Sequence, residues 1–405
     1  MKQTNNSYLP PSKILDKYAQ VLVKYALGAT EGIQAGEVVQ CAIPDIAKPL
    51  YLPLQREILK AGGHPLMRLL PTGTDKEFFE LANDDQLTFM PKQYFKAKAK
   101  LIDHSIAIIA DPFPQELESI DPRKIIKSRD AKKLYRELLT DKETQGKFTW
   151  TVGLWGVEAK AKIAGLTLKE YWQEIINACF LDHSDPIEKW RQVNTLQNSI
   201  RQKLNRLPIK SLHVSGKGID LKVGLGSDRI WKGGANRNIP SFELFTSPNW
   251  RETEGFVEFD QPVYRYGNLI EGIRLEFKSG IVTSATAKKG QKVLNSMLQS
   301  KNANKLGEFS LTDNRLSNIN HFMAETLYDE NMGGPEGNMH VAIGMAYKDC
   351  YKGDATLLKK KDWQRLGFND SPEHTDIINT VSKTVVATLN SGQEILLYKD
   401  GRFQI

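Results

Sequence analysis

Carboxylate and imidazole side chains recur through the second half of the chain, on short apolar segments. Glu243 and Glu308 each lie within three residues of a phenylalanine and a leucine, a setting that favours a partly buried acid with a partner. His374 and Asp376 are two residues apart, so on an extended segment both side chains point the same way. Together with His340 they mix carboxylates with imidazole, which suits zinc, manganese, cobalt or iron better than calcium. A set this rich in carboxylates can hold two metal ions, and we expect a metal-dependent hydrolase.

Each of these residues also has a plain structural interpretation when it is taken alone. A single glutamate is usually a surface charge, and a histidine in an apolar segment, such as His340, is usually a core residue bonded to the backbone. The His-x-Asp pattern also occurs by chance. Tyr347 is a candidate donor of a hydrogen bond to an oxyanion, and its alternative is an ordinary half-buried aromatic residue.

The first half of the chain predicts alternating strands and helices. The predicted strands are 37–43, 65–70, 105–110 and 148–155, and the predicted helices are 12–28, 49–60, 75–82, 121–139 and 159–180. A strand–helix–strand order predicts parallel pairing with a right-handed crossover. We therefore expect an α/β N-terminal domain over residues 1–206.

After a predicted helix from 185 to about 204, the pattern changes to short alternating segments. These segments are 211–214, 220–225, 255–259, 272–277 and 281–287, with glycine turns between them. Alternation with such turns predicts antiparallel strands, as does the expected hairpin of 384–389 and 394–398. Residues 348–372 are polar and predict a long irregular loop, which is usually functional or mobile. The second domain, 207–405, is expected to be a mixed α+β, largely antiparallel catalytic domain.

The composition is that of an ordinary globular protein, with 40% hydrophobic and 25% charged residues among 405. The net charge of +7 is spread along the chain, and the run Lys359-Lys360-Lys361 predicts a solvated face rather than a nucleic-acid site. Three cysteines without a Cys-x-x-Cys pair predict a reducing compartment, the cytoplasm. No segment stays apolar over the roughly 18 residues that a membrane span needs, and no glycine motif indicates a binding site for a nucleotide or a flavin.

An ordered set of motifs in this chain resembles the aminopeptidase T family of two-metal metallo-aminopeptidases, the thermophilic aminopeptidases. The motifs span nearly the whole chain, and the most telling are Trp231-Lys232-Gly233-Gly234, Asn238-Ile239-Pro240 leading to Glu243-Leu244-Phe245-Thr246-Ser247-Pro248, Leu306-Gly307-Glu308, Asp329-Glu330-Asn331, His340-Val341-Ala342-Ile343-Gly344 and His374-Thr375-Asp376. Their order along the chain is far more specific than any one of them.

The resemblance implies an exopeptidase that removes N-terminal residues from peptides with two divalent ions, zinc, cobalt or manganese. Such ions would lie roughly 3.5–4 Å apart and share a water. The metal ligands carried over are Glu243, Glu308, Glu330, His340, His374 and Asp376, and the catalytic residues are Tyr347, Glu308 and Glu330. The family also implies a homodimer that encloses a cavity open to short peptides.

The chain departs from the family at two places. Residues 332–338 lengthen the link before His340, which leaves Glu330 and Glu336 as competitors for one acid position; we prefer Glu330 because Asp329 and Asn331 flank it. After Asp376, residues 377–380 replace the phenylalanine and glycine of the family. Two alternative functions follow, a metal-dependent hydrolase of another amide or ester and a metal-free binding protein derived from the family.

Overall fold

The computed structural model describes residues 8–226, 228–233 and 237–405. Its helices are α1 (Ser12–Lys24), α2 (Tyr51–Lys60), α3 (Asp75–Leu81), α4 (Asp84–Thr88), α5 (Lys92–Leu101), α6 (Pro122–Ala131), α7 (Lys133–Thr144), α8 (Glu158–Ile163), α9 (Leu168–Ala178), α10 (Pro186–Arg206), α11 (Gln291–Gln299), α12 (Thr326–Asp329) and α13 (Lys360–Arg365). Its strands are β1 (Val38–Pro44), β2 (His64–Leu70), β3 (His104–Ile109), β4 (Thr149–Leu154), β5 (Ile209–Gly216), β6 (Ile219–Gly224), β7 (Lys232–Gly233), β8 (Asn238–Ile239), β9 (Glu243–Thr246), β10 (Thr253–Glu258), β11 (Val263–Arg265), β12 (Asn268–Ile270), β13 (Arg274–Lys278), β14 (Ile281–Thr286), β15 (Leu306–Thr312), β16 (Asn338–Gly344), β17 (His374–Asn379), β18 (Lys383–Leu389), β19 (Glu394–Lys399) and β20 (Arg402–Phe403).

The chain forms two compact units, 1–191 with 236–240 and 192–235 with 241–405. The first unit holds a parallel sheet with the strand order β2-β1-β3-β4-β8. The predicted α/β character and the parallel pairing of β1 with β2 across α2 are confirmed. The domain limits 1–206 and 207–405 stay a prediction; the compact units divide inside α10.

The second unit is built mainly from two antiparallel sheets. One has the order β14-β13-β10-β6-β5-β18-β19-β20 and the other the order β17-β16-β15-β9-β7. Side chains of both sheets meet in one buried cluster, in which Val214 and Leu221 come from the first sheet and Phe309, Val341 and Ile377 from the second. The expected antiparallel α+β character and the terminal hairpin of β18 and β19 are confirmed.

The expectation of an irregular loop over 348–372 was wrong at α13, which the sequence analysis did not predict. Its Trp363 packs with Phe368, Phe245 and Cys350 in a small buried cluster. One apolar residue, Trp363, among charged and polar ones shows no periodicity that would indicate a helix, and the tertiary contact stabilises α13. The predicted helix 121–139 is also divided, since α6 ends and α7 begins around Lys132.

The described helices include none that is both long and apolar enough to cross a membrane. The lysine run 359–361 lies at the start of α13, and all three side chains are exposed. Their exposure agrees with a solvated face, and the expectation that this run is not a nucleic-acid site stays a prediction.

Candidate metal centre

The predicted metal ligands converge on one face of the smaller antiparallel sheet. Glu243 lies on β9, Glu308 on β15, His340 on β16, and His374 and Asp376 on β17. The strands β9, β15, β16 and β17 are neighbours in that sheet. Successive side chains of a strand point to opposite faces, so the residues between these ligands point to the other face, into the core. This alternation separates a polar face from an apolar face within strands that are buried except at His374.

Small side chains leave room between the ligands. Ala342 pairs with Glu308 on one side and with Asp376 on the other, and Ser310 pairs with His340. The Ser310 hydroxyl lies 3.4 Å from Glu243 Oε2. An alanine and a serine at these positions keep the middle of the face open, where larger side chains would fill the space between the carboxylates.

The first group of donors comprises Glu243, Glu308 and His340. The Nε2 atom of His340 lies 3.1 Å from Glu308 Oε1 and 3.2 Å from Glu243 Oε2. One donor atom from each residue lies within 4.8 Å of the other two, and all three residues are buried. The structure therefore brings together ligands that are 65 and 32 residues apart in the sequence.

The second group comprises Glu308, His374 and Asp376. His374 Nε2 lies 3.8 Å from Glu308 Oε2 and 3.4 Å from Asp376 Oδ1, and the three donor atoms again lie within 4.8 Å of one another. Glu308 belongs to both groups and offers a different oxygen to each histidine. A carboxylate shared in this way can bridge two ions.

Both histidines are oriented by a backbone carbonyl behind them. His340 Nδ1 lies 3.1 Å from the carbonyl oxygen of Glu330, and His374 Nδ1 lies 2.9 Å from that of Met345. A proton on Nδ1 donates to the carbonyl and leaves the Nε2 lone pair facing the carboxylates. Histidines that bind metals almost always donate their second ring N–H in this way, so the arrangement fits a metal centre better than it fits two core histidines.

The long link before His340 is fixed by buried asparagines. The side chain of Asn338 donates to the carbonyl of Glu330 at 2.8 Å, and that of Asn331 lies 3.4 Å from Glu330 Oε1. Asn331 Oδ1 also accepts the backbone N–H of Phe242 at 2.6 Å, which holds the chain just before Glu243. These contacts place the Glu330 segment against the ligand face despite the extra residues.

Of the two competing acids, only Glu330 lies beside the donor groups, close enough to Glu243 and Asp376 for their charges to act on it. Burial and the charges of Glu243 and Asp376 raise the pKa of Glu330 well above its ordinary value. Glu336 lies elsewhere, and its backbone carbonyl is 3.4 Å from the Lys383 ammonium and 3.5 Å from the Tyr398 hydroxyl. Glu330 is not a member of either close donor group.

Tyr347 lies at the edge of the centre. Its ring centre is 4.8 Å from that of His374 and 5.7 Å from that of Phe245, and its backbone N–H donates to the Ser247 hydroxyl at 2.8 Å. The ring is 37% exposed. Desolvation by the surrounding protein and the charge of Glu308 raise the pKa of its hydroxyl well above the ordinary value, so the group stays a proton donor at neutral pH.

A second layer of polar residues, which the sequence analysis missed, supports β17. Glu373 accepts hydrogen bonds from Arg265 at 2.9 Å, from the Tyr266 hydroxyl at 2.5 Å and from Thr375 at 2.7 Å. Arg265 also donates to the carbonyl of His374 at 3.1 Å. Burial alone would raise the pKa of Glu373, but Arg265 and these hydrogen bonds outweigh it and lower the pKa. The sequence feature that could have indicated this layer is Glu373, an acid directly before the His-x-Asp pattern.

The charges of the centre favour a bound cation. Burial and Glu243 raise the pKa of Glu308 to about 7. Burial opposes charge on His374, but the Asp376 carboxylate outweighs it and raises the pKa of the imidazole to about 9. Burial likewise opposes charge on Asp376, whose pKa falls to about 2 because of His374. Protons and metal ions therefore compete for the same oxygen and nitrogen atoms.

The centre fits divalent metal ions by its donor chemistry. Two imidazole nitrogens and several buried carboxylates match zinc, cobalt and manganese better than calcium, which takes oxygen ligands alone. A family model described as thermophilic metalloprotease (M29) matches residues 12–403. The chain belongs to this family.

Related proteins of the M29 family share nearly its whole length. The chain is 28% identical to aminopeptidase T of Thermus aquaticus and 28% identical to aminopeptidase 2 of Geobacillus stearothermophilus, in each case over 96% of this chain and 98% of the relative. It is 26% identical to aminopeptidase AmpS of Bacillus subtilis, over 96% of this chain and 100% of the relative.

The fold is also shared with a solved structure, wild-type AmpT from Thermus thermophilus. The TM-score is 0.83 at 24% identity, with 97% of this chain and 99% of the other covered. The expected membership of the aminopeptidase T family and the expected fold class are confirmed. This M29 protein is an enzyme, a hydrolase of the metalloprotease class, and its family implies divalent metal ions.

Proposed function

We propose that this M29 metalloprotease is an aminopeptidase that releases N-terminal residues from peptides with the help of two metal ions. The observation that carries the proposal is the pair of donor groups, Glu243–Glu308–His340 and Glu308–His374–Asp376, which share one carboxylate. A shared ligand between two complete groups supports two ions rather than one. The aminopeptidases among the relatives support the exopeptidase assignment.

The six predicted ligands would hold the ions, Glu243 and His340 on one side, His374 and Asp376 on the other, with Glu308 between them and Glu330 beside the first group. When bound, zinc, cobalt or manganese ions supply Lewis-acid polarisation of the scissile carbonyl and lower the pKa of a water molecule to about 7. The two backbone carbonyls behind the histidines keep the imidazoles aimed at this place.

Proton transfer is assigned to the two carboxylates whose pKa the site raises, Glu308 and Glu330. We propose that Glu308 or Glu330 accepts the proton of the attacking water and passes it to the leaving amine. The pKa of Glu308 is raised to about 7, and burial and the charge of Glu243 raise the pKa of Glu330 well above its ordinary value. Turnover of Glu330→Gln, with metal content measured in parallel, distinguishes them. Lost turnover with the ions retained makes Glu330 the base, and retained turnover leaves the role to Glu308, whose replacement is expected to remove the ions.

Tyr347 would donate its hydroxyl proton to the oxyanion of the tetrahedral intermediate. Its raised pKa keeps that proton in place, and its partly exposed ring leaves it accessible to a substrate. The free α-amine of a peptide would bind one of the ions, or a carboxylate that is not used as a metal ligand. An N-blocked peptide lacks this amine, which would explain exopeptidase selectivity.

A homodimer and a cytoplasmic location are also proposed. The dimer, enclosing a cavity that admits short peptides, is proposed from the family resemblance, and light scattering of the purified protein tests it. The location is proposed because Cys41, Cys179 and Cys350 are all free and buried, as in proteins of reducing compartments.

The deciding experiment pairs the metal content of the purified protein, by mass spectrometry, with hydrolysis of leucine p-nitroanilide before and after chelation. Close to two ions per chain, with activity lost on chelation and restored by zinc, cobalt or manganese, is the expected result. N-acetylated leucine p-nitroanilide is the control, and its hydrolysis would favour an amidase or esterase. An absence of metal and of activity under every added ion would support a binding protein instead.

A further inference from the structure

The edge of the parallel sheet in the first unit is open along β2. This strand ends the order β2-β1-β3-β4-β8 and pairs with β1 along one side only. Within the described ranges, no backbone hydrogen bond from outside the sheet reaches residues 65–70. The outer N–H and C=O groups of β2 are therefore free to pair with another strand.

A groove follows this edge. It has a volume of about 600 Å³ and is lined by β2 together with side chains of α2 and α5. Leu66 of β2 and Tyr94 of α5 offer apolar surface, with 39% and 55% of each side chain exposed. Tyr51 and Gln55 of α2 complete the opposite wall. A free strand edge between two walls suits an extended chain better than a compact ligand.

Two positive charges in the groove have no anionic partner. Arg68 and Lys98 both line it, and among the described residues neither one makes a hydrogen bond or an ion pair. The Lys98 ammonium lies 5.1 Å from the ring centre of Tyr135. Burial and the charge of Arg68 lower the pKa of Lys98, so the two cations are close enough to repel each other. A carboxylate placed between them would relieve this repulsion.

The same charges argue against a second copy of the chain as the occupant. Antiparallel pairing of β2 with its own copy would bring both Arg68 side chains, and with them both Lys98 side chains, to one face of the joined sheet. Four positive charges on one face of the joined sheet would repel each other, most strongly where the two Arg68 side chains lie directly opposite. The occupant that fits is extended and acidic.

We propose that this groove binds an extended acidic peptide that adds a strand to β2 and places a carboxylate between Arg68 and Lys98. Main-chain hydrogen bonds to the strand edge would supply affinity, and alternate side chains would supply specificity. The site lies on the first unit and does not depend on the function proposed for the metal centre.

The test uses fluorescein-labelled heptapeptides with acetylated N-termini, which an aminopeptidase does not cleave. One alternates valine with glutamate, the second alternates valine with lysine, and the third is the first with a proline at its centre. Fluorescence anisotropy with the metal-loaded full chain measures Kd. We expect the glutamate peptide to bind, the lysine peptide not to bind, and the proline peptide to bind more weakly, because proline cannot continue a ladder.

Charge reversal tests the two cations directly. Arg68→Glu combined with Lys98→Glu is expected to weaken the glutamate peptide by about tenfold or more and to allow the lysine peptide to bind. The matched control is Lys92→Glu combined with Lys96→Glu, which changes the net charge equally on exposed positions of α5 outside the groove. This control is expected to keep the wild-type preference.

Several results would overturn the proposal. They are equal binding of all three peptides, no binding of any peptide, and unchanged binding of the glutamate peptide by the groove variant, Arg68→Glu combined with Lys98→Glu. A groove variant that turns a dimer into a monomer would show that a second copy occupies the edge. Unfolding curves verify that the variants are folded. If the double variant does not fold, Arg68→Gln or Lys98→Gln replaces it in the same assay.

Discussion

Gly307 controls the placement of Glu308, and its substitution by alanine gives the sharpest test of the centre. The pairing of β15 with β16 shifts here, since Leu306 faces Ile343 while Glu308 faces Ala342. A methyl group on Gly307 would lie 2.3 Å from the carbonyl oxygen of Met345 and 2.5 Å from that of Gly344. Both are backbone atoms that cannot rotate away, and carbon–oxygen contacts need about 3.3 Å. The two segments must therefore separate by about 1 Å.

That displacement acts on the carboxylate that both donor groups share. A misplacement of about 1 Å in a catalytic site costs on the order of 100-fold in rate, and overpacking costs about 1–3 kcal/mol of stability. For Gly307→Ala we expect kcat/KM for leucine p-nitroanilide to fall by about 100-fold, with a protein that still folds. Kinetics at saturating zinc or cobalt, metal content and chemical unfolding measure the three effects separately.

Gly392→Ala is the matched control in the same unit. Gly392 has a φ of +86° in the turn between β18 and β19, and a methyl group there would meet no atom within 4 Å. This variant is expected to lose about 1–2 kcal/mol through backbone strain and to keep full activity. If Gly307→Ala is as active as Gly392→Ala, the close approach at Gly307 does not set the position of Glu308, and the reasoning is refuted.

Three further predictions concern the donors, the tyrosine and a buried lysine. Glu308→Gln should lose both metal ions and Asp376→Asn only one, and mass spectrometry giving equal losses would contradict the shared ligand. Tyr347→Phe should lower kcat by about 10²–10³-fold with metal retained; unchanged turnover would remove it from the mechanism. Lys383 is 2% exposed, and burial lowers its pKa from 10.5 to about 8. Between these two pH values the unfolded chain binds more protons than the folded chain, so the free energy of unfolding of the wild type should rise with pH. Lys383→Met should raise the free energy of unfolding by on the order of 3 kcal/mol at pH 7 and should leave it unchanged at a pH above the unfolded pKa of lysine. Urea unfolding that shows the same difference between variant and wild type below and above that pKa would contradict this.

Much of the fold was predictable because strand and helix patterns depend on local alternation. The strand–helix–strand unit from β1 to β2 and the hairpin of β18 and β19 follow from periodicity and turn residues alone. Helix α13 was not predictable, because its Trp363 is buried in a cluster that includes Phe245, more than 100 residues earlier in the chain. Local sequence carries no signal for such a contact.

The candidate site also has features that the sequence predicts and features that only the tertiary structure fixes. The sequence by itself determined which donors are present, since the carboxylate and imidazole types and their ordered motifs define the chemistry that a metal ion would meet. Only the tertiary structure decided that Glu308 belongs to both donor groups, that Glu330 and not Glu336 lies beside them, and that Arg265 holds Glu373 behind His374. The shared position of Glu308 depends on the register of four neighbouring strands, whereas Glu330 and Arg265 are positioned by segments outside this sheet. Register joins residues that are distant in sequence, so folding of the whole unit is needed to fix it.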